Sequence, residues 1–338
     1  MRRLLLLGAL LASVYLAWYW ETRRPVRPFG APSQLLVVAP GASAESVGRQ
    51  LHELGLVRHP ALFRALILGR GVSGKIRAGE YSLDGPLSLE DIVGVLSRGE
   101  VVRRDVTFPE GKTIAEMARL AAGQGIAPEA FAAAARGVSL VRDLDPQATD
   151  LEGYLFPDTY DVSGQPGAAA DLVSRMVQRF RGVITPELPG LAERGLTVRQ
   201  LVTLASLVEL ETAQGHERPR IAAVFLNRLG KGMLLQTDPT VIFALRQAGR
   251  YDGNIRKADL AIDSPYNTYR YPGLPPGPIA SAGRESIQAV LRPVPGDDLY
   301  FVSRNDGTHH FSRTLAEHER AVDQYQRRRG RGAAGPGR

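Results

Sequence analysis

The first twenty residues contain the feature that most restricts how this chain can be built. Leu4 to Trp20 form an uninterrupted uncharged run, close to the length that a helix needs to cross the hydrocarbon core of a membrane at about 1.5 Å per residue. Arg2 and Arg3 precede this run, and its last three residues are aromatic, as at a membrane interface. Because no small-x-small cleavage site follows, the pattern favours an uncleaved anchor over residues 1–21 rather than a removed signal peptide.

The remainder of the chain divides into segments of different composition. Residues 22–33 are rich in Pro and Arg, which predicts a linker. Residues 34–100 alternate strand-like and helix-like patterns, with Ser43 and Ser88 placed to cap helices, and predict a small α/β module. Residues 101–326 begin with a predicted strand over 101–108. Several helices, one of them over 198–214, and later short strands follow, which predicts a larger mixed α/β domain. The expected fold class is α+β.

Composition and charge indicate which kinds of partner molecule the protein is expected to bind. The 338 residues are 44% hydrophobic and 23% charged, as in ordinary globular proteins, and the formal net charge is +7. Much of the positive charge lies at the two ends, including the Gly-rich tail 327–338, which we expect to be disordered. Since no folded stretch interleaves basic and aromatic residues, we expect no nucleic acid partner.

The sequence contains no motif for metal binding, nucleotide binding or thiol chemistry. The chain has no cysteine, no HExxH pattern and no phosphate-binding GxxxxGK loop. His309 and His310 are adjacent, and neighbouring residues of a strand point to opposite faces, so this pair is a poor chelate. We expect neither a metal nor a cofactor.

Carboxylates remain as candidates, because burial can raise the pKa of one and suit it to general acid/base work on glycosidic bonds. One candidate segment is LEGYLFPDTY (151–160), where Glu152 and Asp158 lie among aromatic residues that could stack on sugar faces. The alternative is a packed turn in which Glu152 is hydrogen-bonded to the backbone.

A second candidate segment is the helical stretch LASLVELETAQGHE (204–217), which contains two carboxylates on an otherwise apolar helix. On a helix, Glu209 shares its face with four small residues, Ala205, Ser206, Thr212 and Ala213, which leaves space above its carboxyl. Glu211 projects about 200° away over larger apolar residues. We therefore expect one carboxyl to face an interior or a cleft and the other not. Helical geometry does not choose between them, and a solvated Glu is the alternative for each.

Several motifs resemble, in order, the endolytic murein transglycosylase family of the MltG (YceG-like) type. These motifs are FPEG (108–111), LEGYLFPDTY (151–160), LASLVELET (204–212), VFLNRL (224–229), LQTDPTV (235–241), SPYNTY (264–269) and GLPPGPI (273–279). Together with the N-terminal span they cover nearly the whole chain. The resemblance implies that the catalytic residue is Glu209, the first Glu of the helix motif. It also implies a LysM-like subdomain before residue 100. Leu210, between the two glutamates, departs from the polar residue that relatives often carry.

The implied reaction cuts the β-1,4 bond between N-acetylmuramic acid and N-acetylglucosamine in peptidoglycan, endolytically and without water. The muramyl C6 hydroxyl attacks C1 and forms a 1,6-anhydro end, so one carboxyl serves first as acid and then as base. The other motifs would hold the sugars, with Gln236, Asn267, Tyr269 and Glu152 as the expected substrate-binding residues. For the first three, turn formation is the alternative.

Two other functions stay open at this point. A hydrolytic glycosidase would use Glu152 or Glu211 as a second carboxylate, and a non-catalytic protein would bind the wall through the LysM-like region. The anchor predicts a single-pass protein of the inner membrane whose catalytic domain lies on the periplasmic side. It also motivates the hypothesis that nascent strands are cut near the peptidoglycan synthases, which would be partners.

Overall fold

The computed structural model describes residues 2–163 and 168–327. The chain separates into two compact units, each with its own interior, and the smaller one extends beyond residue 100, the predicted end of the small module. The units are Met1–Val106 with Asp161–Ala168, and Thr107–Tyr160 with Ala169–Arg338. Apart from Arg327, the tail predicted to be disordered lies outside the described residues.

Helix α1 (Arg2–Arg23) contains the predicted anchor and ends two residues beyond it. Its segment Leu5–Arg23 is long and apolar enough to cross a membrane by length and composition. The last turn differs from the rest, because Thr22 is fully buried and Trp18 packs against the core of the small unit. Arg23 also forms an ion pair with Glu90 at 3.3 Å. The helix is therefore exposed along most of its length and packed only at its C-terminal end.

The small unit places a helical layer against a two-stranded sheet. Its elements after α1 are β1 (Gln34–Val38), α2 (Ala44–Glu53), α3 (Pro60–Gly69), β2 (Gly79–Leu83) and α4 (Leu89–Arg98). The strands are antiparallel, with Leu36 opposite Tyr81. Side chains alternate along them, so that Leu36 and Tyr81 are buried while Leu35 is exposed. The resulting core is closed by apolar faces of the helices.

Local capping explains why these helices start where the sequence predicts. Ser43 accepts a hydrogen bond from the Ser46 N–H at 3.1 Å and caps α2. Ser88 and Asp91 form a reciprocal capping box at the start of α4. These side chains satisfy N–H groups that have no partner within the helix. The α/β arrangement predicted for this region is confirmed, whereas its LysM-like character stays a prediction.

The larger unit is mainly helical. Its helices are α5 (Ile114–Ala122), α6 (Pro128–Ala134), α7 (Ala168–Ile184), α8 (Leu188–Glu193), α9 (Val198–Glu211), α10 (Arg218–Gly230), α11 (Asp238–Gln247), α12 (Arg284–Leu291) and α13 (Leu315–Val322). The remaining strands are β3 (Asp105–Thr107), β4 (Thr159–Asp161), β5 (Tyr300–Ser303) and β6 (His309–Ser312). They form two two-stranded sheets, β3 with β4 and β5 with β6. The strand predicted over residues 101–108 is thus shorter than expected.

Helix α9 is the central element of this unit. Thr197 and Gln200 form a capping box at its start, and every residue from Leu201 to Val208 is buried. Helices α10 and α12 pack against it. The helix was predicted to continue to Gln214, but Thr212 is already extended, with φ of −146°. Thr212 and Ala213 are therefore not part of the helical face that Glu209 was expected to share with them.

Gly153 is required by a close approach beside α9. Its φ is +80°, and a Cβ built on it would lie 2.5 Å from the ring of Pro278 and 2.9 Å from Val202. We expect Gly153→Ala to lower the free energy of unfolding by about 2 kcal/mol or more, because it adds a rigid clash to backbone strain. Chemical denaturation would measure the change. Gly195→Ala, also at positive φ but with open space around it, should cost less, and equal losses would contradict the packing argument.

Candidate functional site

Glu209 lies at the C-terminal end of α9 and is enclosed by protein. Its side chain is 5% exposed. One carboxyl oxygen accepts a hydrogen bond from the Arg218 guanidinium at 2.9 Å, and the other accepts from the Gly283 backbone N–H at 2.9 Å. Both partners are donors, so the carboxyl is arranged as an acceptor. An ionised carboxylate has about four lone-pair positions, so positions for a further donor remain.

Arg218 connects Glu209 to two further carboxylates. It stands at the start of α10, and its side chain is 9% exposed. The same nitrogen that contacts Glu209 lies 3.6 Å from Glu110, and the second terminal nitrogen binds Glu285. Its Nε is buried and has no hydrogen-bond partner among the residues that the structure describes. A planar guanidinium with several donors can serve several carboxylates at once, which a Lys ammonium does less well.

The FPEG motif reaches the site through a backbone contact with the segment before α12. Gly111 donates its N–H to the Ser281 carbonyl at 2.8 Å, and Ser281 donates to the Lys112 carbonyl at 3.0 Å. At Gly111, where φ is +74°, a Cβ would lie 3.2 Å from Leu210 and 3.9 Å from Cγ of Glu209. The motif therefore passes directly beside the end of α9 and brings Glu110 to Arg218.

Glu211 is also held within the protein. It accepts a hydrogen bond from the Thr237 hydroxyl, and burial raises its pKa to about 7. The expectation that only one of the two glutamates of α9 would be enclosed is therefore wrong. The tertiary structure supplies a polar partner for each carboxyl, on opposite sides of the helix end.

The predicted sugar-binding residues are in different environments. Gln236 is exposed, with φ of +52°, and Tyr269 donates its hydroxyl proton to Asp238 at 2.6 Å. Burial, together with that hydrogen bond, raises the pKa of Tyr269. Asn267 is fully buried and donates to the carbonyls of Leu260 and Ile262 at 2.9 and 2.8 Å. For Asn267 this geometry favours the turn-forming alternative, whereas Gln236 and Tyr269 stay candidates.

The Glu152 side chain caps helix α5 by accepting a hydrogen bond from the backbone of that helix. Both of its carboxyl oxygens accept from the Ile114 N–H, at 3.2 and 3.1 Å, in the first turn of α5. This is the backbone-bonded turn considered as the alternative to a sugar-binding role. The residue also lines a cavity of about 830 Å³, together with Glu116, Arg136, Arg246 and Tyr251. Burial raises the pKa of Glu152 to about 8 despite the Ile114 hydrogen bond.

The raised pKa of Glu152 predicts how stability depends on pH. The unfolded chain ionises this carboxyl near pH 4.5, whereas the folded chain keeps it protonated up to about 8, so stability falls as pH rises through this range. The raised pKa of Glu211 likewise lowers stability as pH rises. Glu152→Gln keeps an acceptor for the Ile114 N–H but cannot ionise. We therefore expect its free energy of unfolding to decrease less with rising pH than that of wild type, by up to a few kcal/mol. Thermal unfolding at pH 5 and pH 8 would measure it, and a fall as steep as in wild type would contradict it.

His309 has a structural partner. Its ring Nδ1 lies 2.7 Å from Glu217, which also accepts the His309 N–H at 2.9 Å. Burial alone would raise the pKa of Glu217, but the bonds to His309 outweigh it and lower that pKa. Among residues 2–163 and 168–327, no cluster of three or more His, Asp or Glu is arranged to hold a metal ion.

Sequence reasoning missed the partners of Glu209. Glu110 belongs to the FPEG motif, but the sequence predicted no role for it. Arg218, Gly283 and Glu285 were not predicted as site residues. Arg218 lies nine residues after Glu209 and Gly283 lies 74 residues after it. An arginine at the start of the next helix was the only local signal, and its side-chain direction depends on packing.

Comparisons with known proteins identify relatives along most of the chain. Residues 36–324 match the YceG-like family. A protein of Bacillus subtilis (strain 168) named endolytic murein transglycosylase is 32% identical over 301 residues, which is 84% of this chain and 82% of that protein. A protein of the same name from Streptococcus pneumoniae (serotype 2, strain D39) is 30% identical over 318 residues, or 84% of this chain, but the match spans only 57% of that longer protein.

A solved structure shares the fold. The crystal structure of a YceG-like protein from Listeria monocytogenes aligns with a TM-score of 0.60 at 29% sequence identity, covering 85% of this chain and 98% of that one. The family match and the Bacillus relative both extend over the small module and the unit that contains Glu209. The chain therefore belongs to the YceG-like family.

Proposed function

We propose that this protein is a lytic transglycosylase that cleaves the β-1,4 bond between N-acetylmuramic acid and N-acetylglucosamine within peptidoglycan strands. The Bacillus and streptococcal relatives, both named endolytic murein transglycosylase, support this reaction. The observation that carries the proposal is Glu209, a nearly buried carboxyl held by the Arg218 guanidinium and the Gly283 N–H. Two fixed donors orient the carboxyl while leaving lone pairs for a substrate hydroxyl.

One carboxyl is sufficient for this reaction. Protonated Glu209 donates its proton to the glycosidic oxygen as the bond from that oxygen to C1 breaks. The carboxylate then accepts the proton of the muramyl C6 hydroxyl as that oxygen bonds to C1. The products are a 1,6-anhydro end and a new N-acetylglucosamine hydroxyl, and no water is consumed. Gln236 and Tyr269 are the candidates for holding the sugars, because their polar groups are not fully buried.

Product analysis tests this proposal directly. The full-length protein in detergent micelles, incubated with purified murein, should release fragments that end in 1,6-anhydro-N-acetylmuramic acid, as identified by mass spectrometry. Reducing N-acetylmuramic acid ends would instead show a hydrolase, which needs a second carboxylate. The two carboxylates first considered for that role, Glu152 and Glu211, are hydrogen-bonded to Ile114 and Thr237. Absence of any cleavage would favour the non-catalytic wall-binding alternative.

The proposed location follows from α1. We place this helix across the inner membrane as a single-pass anchor, with the catalytic domain on the periplasmic side. The small unit is proposed to be LysM-like and to contact the glycan. An enzyme anchored in this way would cut new strands close to the membrane, where peptidoglycan synthases work, and would thereby end their elongation.

A further inference from the structure

We infer that Glu110 is a second carboxyl of the Glu209 site and shares one proton with Glu209, with Arg218 moving its hydrogen bond between the two. Glu110 would thus be a positioning residue that keeps Glu209 supplied with the proton it donates. The inference rests on the proposed function. It assigns a role to the glutamate of the FPEG motif, which comes from a different part of the chain than α9.

The first support is the shared contact on Arg218. One guanidinium nitrogen lies 2.9 Å from Glu209 and 3.6 Å from Glu110. These two contacts place the Glu209 and Glu110 oxygens at most 6.5 Å apart. At these distances Arg218 is hydrogen-bonded to Glu209 and only close to Glu110. Shortening the Glu110 contact would let the same nitrogen bind Glu110 in place of Glu209, because it already contacts both carboxyls.

The second support is the space that Gly283 leaves. A Cβ on Gly283 would lie 1.7 Å from one Glu110 oxygen and 2.1 Å from the Glu110 carboxyl carbon. Gly283 has φ of −75°, where any residue is allowed, so the backbone conformation does not require glycine. The missing side chain instead accommodates the Glu110 carboxyl, while the N–H of the same residue binds Glu209. Both carboxyls therefore lie against Gly283.

The third support is the charge around Glu110. The groups that face it are Glu209 from α9, Arg218 from α10 and Glu285 from α12. The Glu110 side chain is 46% exposed, and its partial burial, followed by repulsion from the Glu209 carboxylate, raises its pKa, although Arg218 opposes this. A nearby carboxylate favours the protonated form of a second carboxyl, so the Glu209 carboxylate favours a proton on Glu110. Glu110 is therefore the natural holder of that proton while Glu209 is bound to Arg218.

The proton transfer is balanced. The O–H bond of Glu110 breaks and an O–H bond to Glu209 forms, while the negative charge passes from Glu209 to Glu110. Arg218 follows the charge, so its hydrogen bond to Glu209 is replaced by one to Glu110. Glu209, which accepts two donors in this structure, thereby changes from the base form to the acid form that the first step of cleavage requires.

The test is the pH dependence of the initial rate at subsaturating murein, measured for the full-length protein in detergent. For Glu110→Gln we expect the alkaline limb of the profile to move to lower pH by about one unit, with a rate near pH 7 about tenfold lower. Gly283→Ala should give the same displacement, because it pushes the Glu110 carboxyl away while keeping both its charge and the N–H donor. Glu129→Gln, the same exchange at an exposed position of α6, is the control and should give the wild-type profile.

Each outcome supports or overturns the inference. The inference is supported if the alkaline limb moves to lower pH in both Glu110→Gln and Gly283→Ala. Thermal unfolding shows whether each variant is folded. A lower rate with an unshifted limb, or a changed KM alone, would show that Glu110 only supports structure or binds substrate, and would overturn it. If the profiles of both variants match wild type while Glu209→Gln is inactive, this inference fails and the proposed function stands. If Glu209→Gln is active, the proposed function itself fails.

Discussion

Glu209→Gln is expected to lower the release of 1,6-anhydro ends by a factor of about a thousand, which is typical for the loss of a general acid/base. Glutamine has nearly the same shape, but it can neither donate a proton to the glycosidic oxygen nor take one from the C6 hydroxyl. One amide oxygen must replace two carboxyl oxygens that accept from Arg218 and Gly283, so a modest loss of stability is also expected. Anhydro ends would be quantified by chromatography after digestion.

Glu211→Gln is the matched control, because it makes the same exchange two residues away on the same helix. Its carboxyl accepts from Thr237, and glutamine can still accept that hydrogen bond. We expect the Glu211→Gln protein to retain most of the wild-type rate. If Glu211→Gln lost activity as completely as Glu209→Gln, the assignment of the acid/base to Glu209 alone would be wrong. If only Glu211→Gln lost activity, the two roles would be exchanged.

Arg218→Met is expected to cause the largest loss of stability, about 3 to 5 kcal/mol at neutral pH. The substitution removes the positive charge that lies among Glu209, Glu110 and Glu285 and leaves a nearly buried carboxylate without its partner. Activity should fall as well, because Glu209 loses one of its two orienting donors. Arg218→Lys keeps the charge but cannot reach several carboxylates with a planar group, so we expect an intermediate loss. Chemical denaturation would measure both variants.

The pH dependence of this loss identifies its cause. Protonation removes the charge from the three carboxyls, so the destabilisation of Arg218→Met should diminish as pH falls toward about 4. Arg220→Met is the control on the same helix. Arg220 is half exposed and pairs with the single carboxylate of Asp298 at 2.7 Å, so its removal should cost less than that of Arg218. Similar losses for both variants, or a loss that does not depend on pH, would contradict the charge-cluster interpretation.

The starts of α2 and α4 could be predicted because capping is a local property. Ser43, Ser88, Thr113 and Thr197 each bond to a backbone N–H three residues later, so the sequence around the cap contains the whole interaction. The early end of α9 and the short β3 were not predicted. Directly after β3 the chain contacts a distant segment through the bond from the Phe108 N–H to the Asp158 carbonyl at 3.0 Å, which the local sequence does not reveal.

For the functional site, the sequence by itself determined the candidate catalytic groups. Because the chain has no cysteine and no nucleotide-binding motif, the carboxylates on an apolar helix remained as candidates. The family resemblance, and not helical geometry, selected Glu209 from the two glutamates of α9. The tertiary structure decided what surrounds it. Glu110, Arg218 and Gly283 meet Glu209 only because α10, α12 and the FPEG segment pack against the end of α9. Electrostatic partners act through distances of a few ångströms in space, which separation along the chain does not reveal.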